Sequence, residues 1–329
     1  MRLWQTLQRA GRPFIGLVLV FLLGLILSPR DSSGMLIFLT AGNLSDILLQ
    51  QAEIGLIALA MTFVIIGAGI DLSVGSVLAA SASRAAVLLV RWTPELPLAL
   101  HLAIAILGGL GVGAAVGALN GVVITRLGLQ PFVMTLATMI GVRGATRWFT
   151  DNTNIDFGFG AAASSRFAAI LSDKSLVITL WVVFAVIAHL VLTRTVYGRY
   201  LRAIGENERA AAYTGLPIRA VRIAAYTACG ALAALAGLIH AARTHQGNPN
   251  DGVAYELDAI AAVVIGGTAL AGGRGTIIGT VTGTIILGLL TNTLRLRMVD
   301  SNVELMIKAA IIILAVWLQR RDRAFPVSP

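Results

Sequence analysis

The sequence predicts an all-α membrane protein that crosses the bilayer about ten times. Hydrophobic residues make up 57% of the 329 residues and charged residues only 12%, and the mean hydropathy is +0.84. The apolar residues fall into runs of roughly twenty, the length with which a helix crosses a hydrocarbon layer of about 30 Å. These runs are rich in Ala, Leu and Gly and lack the short alternating pattern of membrane β-strands. A soluble globular fold does not fit this composition.

Ten apolar runs are the candidate spans, and together they predict one transmembrane domain that covers residues 1–329. The first run follows a polar segment at 1–13 that resembles the start of a signal peptide. Because no pattern of small residues marks a cleavage site after this run, we expect an uncleaved first span. The predicted spans lie at residues 14–28, 48–69, 72–90, 98–124, 131–149, 175–193, 221–242, 254–271, 275–293 and 303–319. Glycine and polar residues interrupt the apolar pattern near residues 70 and 272, where the borders are weakest.

The distribution of arginine predicts the orientation of the chain in the membrane. One side of a ten-span protein receives the amino-terminal arginines, Arg126, the loop at 194–222, Arg274 and the tail at 320–329. Positively charged loops face the cytoplasm, so we expect this side and both termini inside the cell. Arg295 and Arg297 fall on the opposite side and count against the assignment. Orientation and attraction to anionic lipid account for the net charge of +9 without a nucleic-acid partner.

The loop at 194–222 is a long polar stretch that holds six arginines and two glutamates. Within it, residues 206–212 have the composition of a short helix, Gly215 is typical of a helix end, and Pro217 is typical of the next helix start. A chain this apolar has little use for a long polar helix unless another protein docks on it. The loop therefore predicts a contact with a cytosolic partner.

Two predicted spans, the fourth and the ninth, carry glycine at every fourth position. Glycines at this spacing form a flat helix face against which another backbone packs closely. The two sets are Gly109, Gly113 and Gly117, and Gly275, Gly279 and Gly283. They occupy equivalent places if spans two to five and seven to ten are similar halves, as in transporters built from repeats.

The sequence shows no enzyme site, and we predict no catalytic residues and no metal or cofactor bound by this chain. It contains no Gly-Lys-Ser/Thr triplet, so the glycine-rich stretch at 272–275 is interpreted as a tight turn between spans. The single cysteine, Cys229, excludes an intrachain disulfide. The four histidines lack the spacing of metal ligands. If ATP drives this protein, another subunit must bind it.

Asp71 and Ser73 lie between two apolar runs, where a carboxylate is costly unless it faces water or caps a helix. An aspartate and a serine bracketed by Gly69 and Gly75 suit a helix break with an acceptor at the start of the next helix. A structural cap and a place in a translocation pathway both fit this pattern.

Neutral hydrogen-bonding side chains cluster within and beside the fourth and fifth spans. They are Asn120, Gln130, Thr135 and Thr138, and Phe132 adds an aromatic face. An uncharged polyhydroxylated substrate would bind such groups, and hydrogen bonds between neighbouring helices would also use them. With Asp71 and Ser73, the residues Asn120, Gln130, Phe132 and Thr135 are our candidates for the translocation pathway.

Glu256 and Asp258 open the eighth predicted span from the side opposite the basic loop. Acidic residues in a first helical turn interact favourably with the helix dipole. The same position suits a contact with a partner outside the cell. If the pair is functional, we expect it to contact a periplasmic partner.

Five stretches of the chain together resemble the permease subunits of bacterial ribose-type monosaccharide ABC importers. They are 69–75 (GIDLSVG), 120–121 (NG), 130–135 (QPFVMT), 205–216 (GENERAAAYTGL) and 255–267 (YELDAIAAVVIGG). The resemblance runs from about residue 45 to residue 319. It extends to a wider group that includes branched-chain amino-acid and nucleoside permeases.

The resemblance implies a permease domain of ten spans, with broken helices near the pore, that dimerises in the bacterial inner membrane. It also implies an ABC ATPase with two fused nucleotide-binding domains, which would bind ATP and Mg, and a periplasmic sugar-binding protein. The second permease would be a copy of this chain or a paralogue. The segment at 147–174 matches no motif of the family and suits a role in the choice of substrate or partner.

The resemblance further implies that the loop at 194–222 couples the permease to the ATPase. The ATPase-coupling residues would be Gly205, Glu206, Asn207, Glu208, Arg209, Ala210, Ala211, Gly215 and Leu216. Of these, the residues at 206–211 would seat in a cleft of the ATPase. ATP binding would close the ATPase and move the short helix as a lever. The sixth and seventh spans would then tilt and open the pore to each side in turn.

Two other classes of function are the alternatives to an ABC permease. An ion-driven secondary carrier requires buried, paired ionisable groups near the middle of the membrane, and Asp71 has no obvious cationic partner in the sequence. An integral-membrane enzyme requires a catalytic cluster. Within the ABC permeases, a nucleoside or another small polar solute fits the neutral side chains as a sugar does, and ribose, xylose and galactose fit equally.

Overall fold

The computed structural model describes residues 2–92, 96–160 and 162–324. The helices in this part of the chain are α1 (Arg2–Leu27), α2 (Ala41–Ile66), α3 (Val74–Val87), α4 (Leu98–Leu127), α5 (Pro131–Phe149), α6 (Ala162–Leu171), α7 (Lys174–Arg194), α8 (Val196–Glu206), α9 (Glu208–Tyr213), α10 (Ile218–Thr244), α11 (Tyr255–Ile265), α12 (Ile277–Leu296) and α13 (Ser301–Ala324). A 3₁₀ turn at Ile37–Leu39 precedes α2, and a π-helical turn at Leu88–Trp92 extends α3. Two short strands, β1 (Ile155–Asp156) and β2 (Gln246–Gly247), pair in antiparallel.

The predicted all-α polytopic fold is confirmed. Six helices in the described residues are long and apolar enough to cross a membrane, namely α2, α4, α7, α10, α12 and α3 with its π-helical turn. The segment Pro13–Leu27 of α1 is apolar but shorter. Each of the ten predicted spans overlaps one helix.

The two ends of the described chain are helical. α1 begins at Arg2, so the predicted polar segment at 1–13 is the first half of a longer helix, and Met1 lies outside the described residues. α13 reaches Ala324. The predicted tail at 320–329 therefore starts as helix, and its residues 325–329 lie outside the described residues.

A helix break at residues 67–73, which we call the first break, corrects two predicted borders. The predicted span at 48–69 ends early, because α2 stops at Ile66 and α3 starts only at Val74. Ala68 adopts a left-handed backbone conformation with φ of 59°. A residue in this conformation turns the backbone away from the helix axis, so the regular hydrogen bonds of the helix end there.

A second break at residues 266–276 corrects the predicted span at 254–271. The helix α11 ends at Ile265 and has 11 residues, a length of about 16 Å, which is half of the hydrocarbon core. Gly267 has φ of 89°, and Ala269 N donates a hydrogen bond to the carbonyl of Arg274 (2.9 Å) across a tight loop. The broken helices that the resemblance implied are thus present in the fold.

The two breaks lie side by side on one side of the bundle. Gly273 N of the second break donates a hydrogen bond to the carbonyl of Ile66 at the end of α2 (2.9 Å). We call this the basic side, because it also carries residues 195–217, which connect α7 to α10 and lie within the predicted loop at 194–222. The opposite side, which carries residues 28–40 and the strands β1 and β2, is called the strand side.

The predicted glycine faces are confirmed as sites of close backbone packing. α10 lies at the centre of the bundle and packs against α2, α3 and α4. The contacts join Gly113 to Gly230, Gly117 to Tyr226, Gly279 to Gly266 and Gly283 to Ala262. A methyl group at any of these four glycines of α4 and α12 would overlap a backbone oxygen of the facing residue, so the helices approach as closely as they do because these positions lack side chains.

The segment at 147–174 folds over the strand side as part of its core. Phe157, Phe167 and Leu171 are buried together with apolar residues from the ends of α3 and α10. Phe157 N donates a hydrogen bond to the carbonyl of His245 (3.0 Å), next to the pairing of β1 with β2. The segment therefore has a packing role that its sequence did not reveal.

Arg295 and Arg297 have partners that explain their position on the strand side. Arg295 Nε lies 3.5 Å from Glu304 Oε2. Arg297 Nε donates a hydrogen bond to the carbonyl of Leu27 (2.5 Å). The two arginines connect the end of α12 to α13 and to α1, so structural contacts hold them where orientation alone would not place them.

Candidate coupling site and buried polar clusters

The basic loop folds as two short helices, each started by a side-chain cap. The Thr195 hydroxyl accepts a hydrogen bond from Gly198 N (3.3 Å) at the start of α8. Asn207 Oδ1 accepts one from Ala210 N (3.0 Å) at the start of α9. The predicted helix at 206–212 is corrected accordingly, since it is divided at Asn207, whose extended backbone separates α8 from α9. Gly215 has φ of 76° and ends α9 as predicted.

α9 presents most of its surface to the outside of the bundle. Tyr213 is 91% exposed, and Glu208, Arg209 and Ala210 are exposed. Ala211 is buried in the main core cluster and attaches the helix to it. A short helix with one buried anchor and an exposed polar face suits a docking surface for another protein.

α8 packs directly against both helix breaks. Gly205 touches the carbonyl of Ile66, and a methyl group there would lie 2.5 Å from Gly273 N. Arg202 Nη2 donates a hydrogen bond to the carbonyl of Gly275 (3.4 Å). Leu201 and Ile204 are buried on the same face of α8. α8 is therefore in direct contact with the end of α2 and with the loop that joins α11 to α12.

Glu208 connects α9 to the first break through Arg222 at the start of α10. Arg222 donates two hydrogen bonds to the Glu208 carboxylate, at 2.7 and 2.8 Å. The same guanidinium reaches the carbonyl of Gly67 (3.5 Å). Two parallel hydrogen bonds fix the geometry of a guanidinium–carboxylate pair more firmly than a single contact does.

Glu206 connects the end of α8 to the second break through Arg274. Arg274 Nη2 donates a hydrogen bond to Glu206 Oε1 (2.9 Å). This bond raises the pKa of the Arg274 guanidinium above its ordinary value. Both side chains are more than half exposed, so the pair contributes about 0–1 kcal/mol to stability.

Four of the six predicted pathway residues meet in a buried network around the first break. Asp71 Oδ1 accepts hydrogen bonds from Ser73 N (2.9 Å) and from Ser73 Oγ (2.6 Å). Asn120 Nδ2 donates to Ser73 Oγ (3.0 Å), and Thr135 Oγ1 donates to the carbonyl of Ile70 (3.3 Å). All four side chains are almost completely buried. The network joins the first break to α4 and α5, whereas the side chain of Ser73, the residue before α3, makes no capping hydrogen bond to the first turn of that helix.

Gln130 and Phe132 do not join this network. They begin α5 on the basic side, where Gln130 is exposed and Phe132 is 54% exposed. Residues from the interior of the bundle do not enclose them. A place in the translocation pathway stays a prediction for all six residues.

Glu256 and Asp258 lie in the first turn of α11, partly buried against other helices. The carboxylate of Glu256 lies beside Gly75 of α3. Asp258 Oδ2 is 3.9 Å from Lys308 Nζ of α13. Their contact with a periplasmic partner stays a prediction.

Sequence analysis missed a buried cluster around Glu53, whose side chain is 3% exposed. Arg243 Nη1 donates to Glu53 Oε1 (2.5 Å), and His240 Nδ1 lies 2.9 Å from Glu53 Oε2. Tyr255 donates its hydroxyl to the same Oε2 (3.4 Å). One indication of this cluster was present in the sequence, because Glu53 is an acidic residue inside the apolar run at 48–69 and a carboxylate within a span needs a partner.

The fold and these sites define the chain as a multi-pass α-helical membrane permease. Its short basic-side helices lie against the ends of two broken membrane helices. The chain belongs to the family described as branched-chain amino acid transport system / permease component, whose model matches residues 43–316.

Individual relatives are similar along almost the whole chain. The ribose import permease protein of Bacillus subtilis (strain 168) is 40% identical over 324 residues, 97% of this chain and 95% of that protein. The galactose/methyl galactoside import permease protein of Escherichia coli (strain K12) is 36% identical, with 92% of each chain covered. The D-allose transport system permease protein of the same strain is 33% identical and covers 91% of this chain and 90% of its own. The predicted resemblance is confirmed, and no solved structure matches.

Proposed function

We propose that this chain is the permease subunit of an ATP-driven importer that moves a monosaccharide across the bacterial inner membrane. The observation that carries the proposal is the similarity, over more than nine-tenths of the chain, to permeases named for ribose, D-allose and galactose. The three sugars are neutral aldoses that differ in carbon number and in the arrangement of hydroxyl groups. A neutral aldose is therefore the proposed substrate class.

The importer that we propose contains three further kinds of subunit. An ABC ATPase with two fused nucleotide-binding domains binds ATP and Mg, and a periplasmic sugar-binding protein delivers the substrate. A second permease, either a copy of this chain or a paralogue, completes the membrane part. The basic side and both termini face the cytoplasm, in keeping with the arginines of the loop at 194–222.

The coupling mechanism follows from the contacts of α8 and α9. The exposed residues Glu206 to Ala210, with Gly215 and Leu216, seat in the ATPase cleft. Closure of the ATPase displaces α8, and Gly205 transmits the displacement to Ile66 and Gly273. The ATPase shifts the balance between two pore states only through a difference in its affinity for them.

Uptake by intact cells tests the proposal. The gene is deleted in its host, and entry of labelled ribose, allose, galactose and uridine is measured with and without a plasmid that restores the chain. We expect restored uptake of at least one aldose, and loss of that uptake when cellular ATP is depleted. Restored uptake of uridine alone would instead assign the chain to a nucleoside importer.

One observation favours an ion-driven carrier as the second candidate. The buried pair of Glu53 and Arg243 meets the requirement for paired ionisable groups inside the membrane. A protonophore separates the two mechanisms when ATP is held constant. Uptake that stops when the protonophore is added and ATP is maintained would favour the carrier.

A further inference from the structure

A cavity of about 350 Å³ opens between α2, α10, α11, α12 and α13. Its deep part is lined by the buried side chains of Gln51, Glu53 and Thr291. Its rim carries the exposed residues Gln50, Thr244 and Arg295, the last two in the final turns of α10 and α12 on the strand side. A buried floor with an exposed rim is the form of a small-molecule site, and the volume falls in the usual range of about 300–1,000 Å³.

Charged groups on one wall of the cavity are compensated within the protein. The carboxylate of Glu53 is held by Arg243 and His240, as described above. His240 Nε2 also lies 3.2 Å from Asp251 Oδ2. An ionic ligand would have to separate these pairs, and a buried charge that loses its partner is strongly destabilised.

The facing wall is compensated in the same way. Lys308 Nζ lies 3.0 Å from Glu304 Oε1 and 3.9 Å from Asp258 Oδ2. Arg295 shares Glu304, and Thr291 Oγ1 donates a hydrogen bond to the same carboxylate (2.9 Å). Each charged group that lines the cavity therefore already has a counter-charge. The lining is rich in donors and acceptors but suits a neutral ligand.

Gln51 supplies an unsatisfied acceptor in this lining. The residue is 7% exposed, and its Oε1 atom has no hydrogen-bond partner among the described residues. The stem of the side chain rests on Gly288 of α12, where a methyl group would overlap it. A buried amide oxygen without a donor costs free energy, and a ligand hydroxyl is the donor that would remove this cost.

Tyr255 supplies an aromatic side chain at the start of α11. Its ring also lines the cavity and meets the His240 ring edge-on, with an interplanar angle of 83°. Compensated charges, a free amide acceptor and an aromatic ring together suit a compact molecule with several hydroxyl groups and no net charge.

We propose that this cavity binds the sugar in transit inside a single permease subunit. The inference rests on the proposed function and places the membrane site at Gln51, Glu53 and Thr291, not at the packed network around Asp71. The open rim lies on the strand side, from which the binding protein releases the sugar. The proposed site therefore lies between the strand side, where the sugar is delivered, and the two helix breaks, which α8 would move.

Protection from alkylation tests this proposal without requiring transport. The full chain carrying Thr244→Cys is placed in lipid nanodiscs, and the rate of maleimide labelling is measured with and without ribose, allose or galactose. The native Cys229 is completely buried, so labelling reports the rim. We expect an aldose to slow labelling at least about threefold at saturation, because the occupied cavity occludes the thiol.

One control tests the position of the labelled cysteine, and another tests the hydrogen bond that we assign to Gln51. Tyr213→Cys lies on the basic side and should be labelled at the same rate with and without sugar. Adding Gln51→Leu to the Thr244→Cys chain should weaken apparent sugar affinity about fivefold, because one hydrogen bond is lost. Asn302→Leu removes an exposed amide near the start of α13 that does not line the cavity, and it should not change this affinity. Gln50→Cys serves as a second rim position if Thr244→Cys fails to fold.

Three outcomes would overturn the proposal. One is unchanged labelling at both rim positions with all three aldoses. The second is protection by sulfate but not by sugar, which would indicate an anion site. The third is weakened protection with Asn302→Leu but not with Gln51→Leu. If cells still show aldose uptake in any of these cases, the proposed function stands and only the location of the site falls.

Discussion

Replacing Gly205 with alanine is the sharpest perturbation of the contact between α8 and the two helix breaks. The added methyl group would overlap the carbonyl of Ile66 and lie 2.5 Å from Gly273 N, where real contacts are essentially never under 3.0 Å. Both neighbours are backbone atoms and cannot rotate away as a side chain can. α8 must therefore retreat by about 1 Å from the breaks.

The size of the effect follows from this overlap. Forcing an extra methyl group into a packed site costs about 1–3 kcal/mol. If that cost applies only to the pore state in which α8 presses on the breaks, the ratio of the two states changes by a factor of roughly 5–150. Gly111→Ala is the matched control, because this glycine of α4 has open space where the methyl group would lie.

The assay compares sugar transported with ATP hydrolysed in proteoliposomes that contain the whole importer. We expect Gly205→Ala to lower the ratio at least fivefold (about 1 kcal/mol) and Gly111→Ala to leave it unchanged. Equal amounts of both variants in the membrane show that insertion is intact. Full coupling in the Gly205→Ala importer would refute the proposal that α8 transmits movement through this contact.

Three further predictions concern the ion pairs and the buried network. Glu208→Lys should lower sugar uptake about tenfold (about 1.4 kcal/mol) without reducing membrane insertion. Adding Arg222→Glu to this variant should restore part of the uptake. If it restores none, the two residues do not act as an ion pair in coupling. Glu53→Gln should lower the free energy of unfolding by about 3 kcal/mol in a melting experiment, because Arg243 loses its buried counter-charge, and an unchanged melting temperature would contradict this. Asn120→Ala should lower the melting temperature by several degrees, because the loss of its buried hydrogen bonds costs about 1–3 kcal/mol. The same variant should leave the KM for sugar unchanged. A raised KM would place Asn120 in the translocation pathway.

Most of the helix positions were predictable because apolar runs of membrane length leave few alternatives. The largest correction was to the run at 254–271, where Ala, Leu and Gly continue beyond the end of α11 at Ile265. The break is fixed by the left-handed conformation of Gly267 and by the hydrogen bond from Gly273 to Ile66. The second of these joins residues from opposite halves of the chain, so the local pattern carries no trace of it.

The polar sites were predictable only where neighbouring residues form them. Asp71 and Ser73 are two positions apart, and their hydrogen bonds close a local turn within the helix break that the sequence predicted. Glu53 meets Arg243 across 190 positions, and this pairing required the fold. The lone carboxylate in an apolar run predicted that a partner exists but did not identify it.

Photo-crosslinking from α9 in living cells identifies the protein that docks on this helix. A photoreactive residue replaces the exposed Ala210 on the basic side or the exposed Asn154 on the strand side, and crosslinked proteins are identified by mass spectrometry. We expect the residue at position 210 to capture a nucleotide-binding subunit with a phosphate-binding loop, and the residue at position 154 not to capture it. Capture of that subunit from Asn154 alone would contradict both the proposed coupling site and the proposed orientation.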